Sequence, residues 1–172
     1  MKSLLTLILL FISSTAHAIC TDFIGTNISD QGIGLYSHAQ LFNPLNSGKN
    51  LELSRIDIAV TVWGQTPPGT RGLDFVIQSA PLANVSGNMS CKNIGDSTIP
   101  AAQMFQASLP ASMVTGVKPV YEFWVGVAEN DHPYIFSTPL IIPPGKGVSI
   151  RGGQTAMYVV TSWQWHETSL TP

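Results

Sequence analysis

The sequence predicts an all-β fold, a two-sheet antiparallel sandwich of jelly-roll-like type, with an immunoglobulin-like sandwich as the alternative. Three observations lead there. No long window repeats apolar residues at i, i+3 and i+4, whereas alternation and short apolar runs are everywhere. Gly, Pro and Asn punctuate these runs at intervals that imply roughly eight strands, at a spacing of about 8–12 residues. And the chain is long enough for one core: setting aside the first 18 of its 172 residues leaves 154, an ordinary size for a single domain.

The first eighteen residues have the layout of an export leader. Lys2 is the positive head, Leu4 to Ile12 the apolar stretch, and Ala16-His17-Ala18 a small-x-small cleavage site. The domain is therefore expected to run from Ile19 to Pro172. Gly34–Phe42 reads as a first strand, closed by a turn over Asn43–Gly48. Leu51–Trp63 is the clearest strand. Leu51 and Leu53 share one parity, while Ile56, Ile58, Val60 and Val62 share the other. One buried face survives that switch only if a residue is inserted near Ser54-Arg55, so a β-bulge is expected there. Gly64–Thr70 reads as an exposed loop, Leu73–Ser79 as a strand, and Ala83–Ser97 as a loop anchored by Cys91. Ala101–Ala107 is the one place where a short helical turn is expected. Val120–Ala128 reads as a buried strand interrupted by Glu122, followed by a turn over Asn130–Pro133 and a strand over Phe136–Ile142. A tight turn over Pro143–Gly147 leads to a strand over Val148–Arg151. The last strand, Ala156–Glu167, alternates: Met157, Val159, Trp163 and Trp165 face one way, and Tyr158, Ser162, Gln164 and His166 the other.

Composition narrows the function classes. Charged residues are 10% of the chain, against about 25% in average domains. Lys2 is the only charge in the leader, so its removal takes the net charge from −2 to −3. Nothing clusters the few Lys and Arg residues, which argues against nucleic acid as a partner. The apolar stretch of the leader is short of the roughly 20 residues a span requires, so no membrane span is expected once it is removed. The expected location is outside the cytoplasm: periplasmic, extracellular, or attached to a cell or virion surface. The two cysteines, Cys20 and Cys91, fit that setting as a disulfide. Its loop-closure contribution is about 4 kcal/mol. Two unpaired buried thiols, or a lipidated Cys20, are the alternatives, the second opposed by the bulky Ile19 before it.

Catalytic signatures do not emerge. Val85-Ser86-Gly87 follows Asn84 rather than the glycine a nucleophile elbow needs. Gly145-Lys146-Gly147 is a turn after two prolines with no phosphate-loop helix behind it. Glu129, Asp131 and His132 gather near one turn without zinc or calcium spacing. Carboxylate pairs drawn from Asp57, Asp74, Glu122 and Glu129 have no distinguishing pattern, and Glu122 is expected to pair with Arg55. No catalytic residue, metal ligand or cofactor is expected. The aromatics carry the one ligand signal, because a sugar ring stacks its apolar face on a flat side chain. Trp63, Trp124 and Tyr134 are the stacking candidates. Trp163 and Trp165 are assigned to the core, with Met157 and Val159 on their face.

Three stretches together carry a resemblance. They are Leu41-Phe42-Asn43-Pro44 with Ser47-Gly48-Lys49-Asn50 and Arg55-Ile56; Pro139-Leu140-Ile141-Ile142-Pro143-Pro144-Gly145-Lys146-Gly147; and Trp163-Gln164-Trp165-His166-Glu167. In this order they resemble the small jelly-roll-like virion proteins of tailed phages and prophages, the decoration, head-fibre and tail-tip components. The resemblance implies a non-enzymatic, self-associating β module. The low charge points to the same reading, an exported homo-oligomer, a trimer if jelly-roll-like, that decorates or adheres to a surface, receptor or virion; a carbohydrate-binding module using the exposed aromatics is the alternative. It brings no catalytic residue with it. The leader and the cysteine pair set this chain apart from that group.

Overall fold

A computed structural model describes residues 20–29, 35–62, 70–82, 84–85, 87–93, 95–110, 121–126, 132–152 and 157–170. Every regular element among them is a strand. In chain order these are β1 (Asp22–Ser29), β2 (Leu35–Asn43), β3 (Lys49–Val62), β4 (Thr70–Gln78), β5 (Asn84–Val85), β6 (Asn88–Cys91), β7 (Gln103–Pro110), β8 (Tyr121–Gly126), β9 (His132–Ile142), β10 (Lys146–Gly152) and β11 (Met157–Ser169). The leader and the Gly64–Gly69 loop lie outside the described residues.

The strands form a five-stranded sheet, β6-β1-β11-β3-β9, here sheet A, and a six-stranded sheet, β5-β7-β2-β10-β4-β8, here sheet B. Their pairing is nested and antiparallel: β1 with β11, β2 with β10, β3 with β9, and β4 with β8. Pairs β11·β3 and β10·β4 join these couples into the two sheets. This is the jelly roll, a long double strand wrapped into two packed sheets. The immunoglobulin alternative is ruled out by the same pairing. That arrangement pairs consecutive strands within a sheet, whereas here no two consecutive strands are neighbours. Strands β5, β6 and β7 form an excursion between β4 and β8. β6 widens sheet A beside β1, and β7 and β5 widen sheet B beside β2.

The expected bulge is at Ser54. Gln164 pairs with Arg55 and Trp165 with Leu53, so β11 passes over Ser54; on the other side Leu53 pairs with Leu140 and Arg55 with Ile135, so β9 bulges by residues 136–139 opposite it. Ser54 Oγ donates to Gln164 O at 3.0 Å, which ties the extra residue to the neighbouring strand. The parity reset keeps Leu51, Leu53, Ile56, Ile58 and Val60 all in the core. Trp163 and Trp165 are fully buried there, and Trp165 stacks on Phe23 with ring centroids 5.8 Å apart. Their indole N–H groups are satisfied locally, by Thr161 Oγ1 at 2.8 Å and Glu167 Oε1 at 3.2 Å. The turn between β9 and β10 requires Gly145, whose φ of 75° is left-handed.

Three expectations need correction. The helical turn over Ala101–Ala107 is strand β7, because a ladder to β2 uses its backbone and its two faces are both covered: Met104 enters the core while Phe105 is buried behind the sheet. The Ala83–Ser97 loop contains strands β5 and β6. His132 and Pro133, expected in a turn, open strand β9.

Candidate functional site

Pleat alternation gives each sheet one inward and one outward face, and the two outward faces differ. On sheet A the outward row Thr26, Ser162, Asp57 and Pro133 is followed by the row Ile24, Gln164, Arg55 and Ile135. Ile28 pairs directly with Val160 above them, and they are 57% and 38% exposed. Ile135 and Ile141 project from β9 at 71% and 51%. The polar side chains between these aliphatic ones bond within the face. Arg55 Nη2 meets Asp57 Oδ1 at 2.6 Å, His166 Nδ1 lies 3.2 Å from Asp22 Oδ1, and Thr168 donates to Glu52 at 3.1 Å.

Sheet B carries a roof over its outward face. The segment after β4 must travel to β5 at the far edge, and it crosses β10 and β2 on the way. Gln40, fully buried, clamps it: Nε2 donates to Ala80 O at 3.1 Å, and Oε1 accepts from Leu82 N at 2.9 Å. Ser149 and Gln78 join that network, with Ser149 Oγ donating to Gln78 Oε1 at 2.6 Å. Phe42, Phe105 and Val76 point outward yet are buried, and Phe42 meets Phe105 edge to face.

A charged row also crosses sheet B. His38 lies opposite Arg151, Arg151 opposite Asp74, and Asp74 opposite Glu122. Arg151 and Asp74 form an ion pair, each side chain less than one-sixth exposed. His38 is buried, and its pKa is lowered from 6.5 to about 4, first by desolvation and then by the Arg151 charge, with Asp74 opposing. Sequence reasoning missed this row because its members come from four separate strands.

The residues singled out in the sequence fall as follows. Cys20 and Cys91 are disulfide-bonded, Cα atoms 6.0 Å apart, and fasten the start of β1 to the end of β6. Asp96 lies close to both sulfurs, but bonded sulfurs are not thiolate ligands. Tyr134 is on β9 opposite Ile56, half-buried and packed against the core. Trp124 is on β8 opposite Gly72, its side chain outside what is described, and Trp63 lies outside the described residues altogether. Arg55 pairs with Asp57 on its own strand, while Glu122 is in the other sheet opposite Asp74. Glu129 and Asp131 lie outside the described residues. The buried Glu167, not singled out in the sequence, accepts from Ala101 N at 2.9 Å, Ala102 N at 3.2 Å and the Trp165 indole, locking the β7 approach to the end of β11.

Comparison with protein-family models, with curated proteins and with solved structures finds no match for this chain.

Proposed function

We propose that this chain is an exported, non-enzymatic jelly-roll module that associates with copies of itself through the outward face of sheet A, and so coats or decorates a surface. The observation that carries this reading is the aliphatic set Ile28, Val160, Ile135 and Ile141 exposed on that one face. Covering them with a second copy removes apolar surface from water. The Cys20–Cys91 disulfide supports folding in an oxidising compartment. The jelly-roll topology is the fold that the resemblance to phage virion proteins implies, which supports a structural over a catalytic role. Glycan binding through exposed rings has less behind it, since Tyr134 turns toward the core.

Light scattering after size exclusion tests the reading. A discrete oligomer at micromolar concentration is expected, with a trimer the first stoichiometry to look for. Ile28→Asp together with Val160→Asp is expected to return it to monomer without unfolding. A wild-type protein that stays monomeric over that range removes the reading.

A further inference from the structure

One end of the sandwich differs from every other described surface. There the β2–β3 turn, the β9–β10 turn and the residue after β11 are laced together by hydrogen bonds. Gly145 N donates to Asn43 O at 2.8 Å, Leu170 N to Gly48 O at 3.2 Å, and Ser47 N to Pro44 O at 3.0 Å. The buried Asn43 side chain adds two more, Nδ2 donating to Lys49 O and Ile142 O, both at 2.8 Å. On this braced platform Leu45 is 80% exposed and arches over Gly145, and Leu170 beside it is 44% exposed. An apolar cleft of about 230 Å³ opens next to them, lined by Ile77, Leu140, Ile141, Ile142, Pro143 and Lys146.

Charge at this end has one sign. Residues 43–49, 142–147 and 169–170 contain Lys49 and Lys146 and no acid. Among the described residues each ammonium reaches a serine hydroxyl: Lys49 Nζ to Ser169 Oγ at 2.9 Å, and Lys146 Nζ to Ser79 Oγ at 2.7 Å, both on the surface. Aliphatic tips on braced turns, flanked by lysines, match the boundary of an anionic bilayer. Apolar groups there sink about 5–10 Å while cations meet phosphates. A second copy of the same end would instead bring four lysines together with no acid to answer them, a repulsive match.

We propose that this end docks on anionic phospholipid bilayers, with Leu45 and Leu170 entering the headgroup layer and Lys49 and Lys146 against lipid phosphates. The surface meets the outward face of sheet A only at Ile141, which lines the cleft, and the proposal does not rest on self-association.

The disulfide leaves no free cysteine among the described residues, and the chain has only two in all, so Leu45→Cys gives a single labelling site. It is labelled with an environment-sensitive nitrobenzoxadiazole dye. Thr26→Cys, on the outward face of sheet A, is the control. All variants share the same N-terminus, so any contribution of the apolar leader is common to them. With vesicles of phosphatidylglycerol and phosphatidylcholine in equal parts, the dye at position 45 is expected to brighten and shift to the blue, and at position 26 to stay unchanged. Pure phosphatidylcholine vesicles are expected to give no shift. Lys49→Gln with Lys146→Gln is expected to weaken vesicle binding by about tenfold or more, and added salt by several-fold. Leu45→Asp is expected to abolish it. No shift at position 45 with anionic vesicles overturns the proposal, as does vesicle binding insensitive to these three side chains. A shift at 45 that follows protein concentration without lipid also overturns it, by showing that a second copy covers this end.

Discussion

Sheets A and B share one hydrophobic core, but their second faces have opposite fates. Behind sheet A the outward side chains of β11 alternate cleanly with buried ones and meet solvent. Behind sheet B the described part of β2, from His38 to Asn43, is buried on both parities, because the segment after β4 lies across it. The same pleat therefore produces an open face and a roofed one, and the difference comes from where one connection runs. Outward apolar residues consequently mean different things on the two sheets: Phe105 is packing, whereas Ile28 is surface.

Substitutions at equivalent outward positions measure that contrast. Phe105→Ala is expected to cost about 3–5 kcal/mol in urea denaturation, the loss typical of a buried ring; a cost near zero would mean the roof does not seal. The next largest effect is in acid. Unfolded His38 binds its proton near pH 6.5, whereas in the folded protein it does so only near pH 4, so the unfolded state takes up the proton first and stability falls as pH drops through that window. The full loss is about 3 kcal/mol, and His38→Gln is expected to flatten the decline between those pH values. Gln40→Ala leaves the Leu82 N–H without its acceptor, for a loss of about 1–3 kcal/mol. Faster hydrogen exchange is expected at that amide before the core strands are affected. Ile28→Ser, the smallest change, is expected to stay within about 0.5 kcal/mol in the same denaturation assay, while lowering self-association in light scattering.

Legibility in the sequence follows the same division. Strand β11, the bulge at Ser54 and the turns after β2 and β9 were readable because one face was wet and the other dry, or because Gly and Pro marked the chain reversal. Strand β1 was not. Its inward positions include Gly25 and Asn27, and its outward ones Ile24 and Ile28, so polarity runs against burial. The structure explains both inward choices. A Cβ at Gly25 would clash with Met104 Sδ, and Asn27 Nδ2 donates across the sandwich to Phe105 O at 2.6 Å. Strand β7 was misread as helical because both its faces are covered and no period of two remains. On the outward face of sheet A the aliphatic set was equally hard to see, since Ile28, Val160 and Ile135 come from three strands that only the fold aligns.

The nesting of the strands has a bearing on how the molecule comes to exist. Asp22 pairs with His166, and β11, the middle strand of sheet A, is made after every other strand of the sandwich. Sheet A therefore cannot close before β11 has been made, and contacts of such long sequence separation form slowly even afterwards. Until then β1 and β3 lack the strand that joins them, and the polypeptide stays loose and threadable.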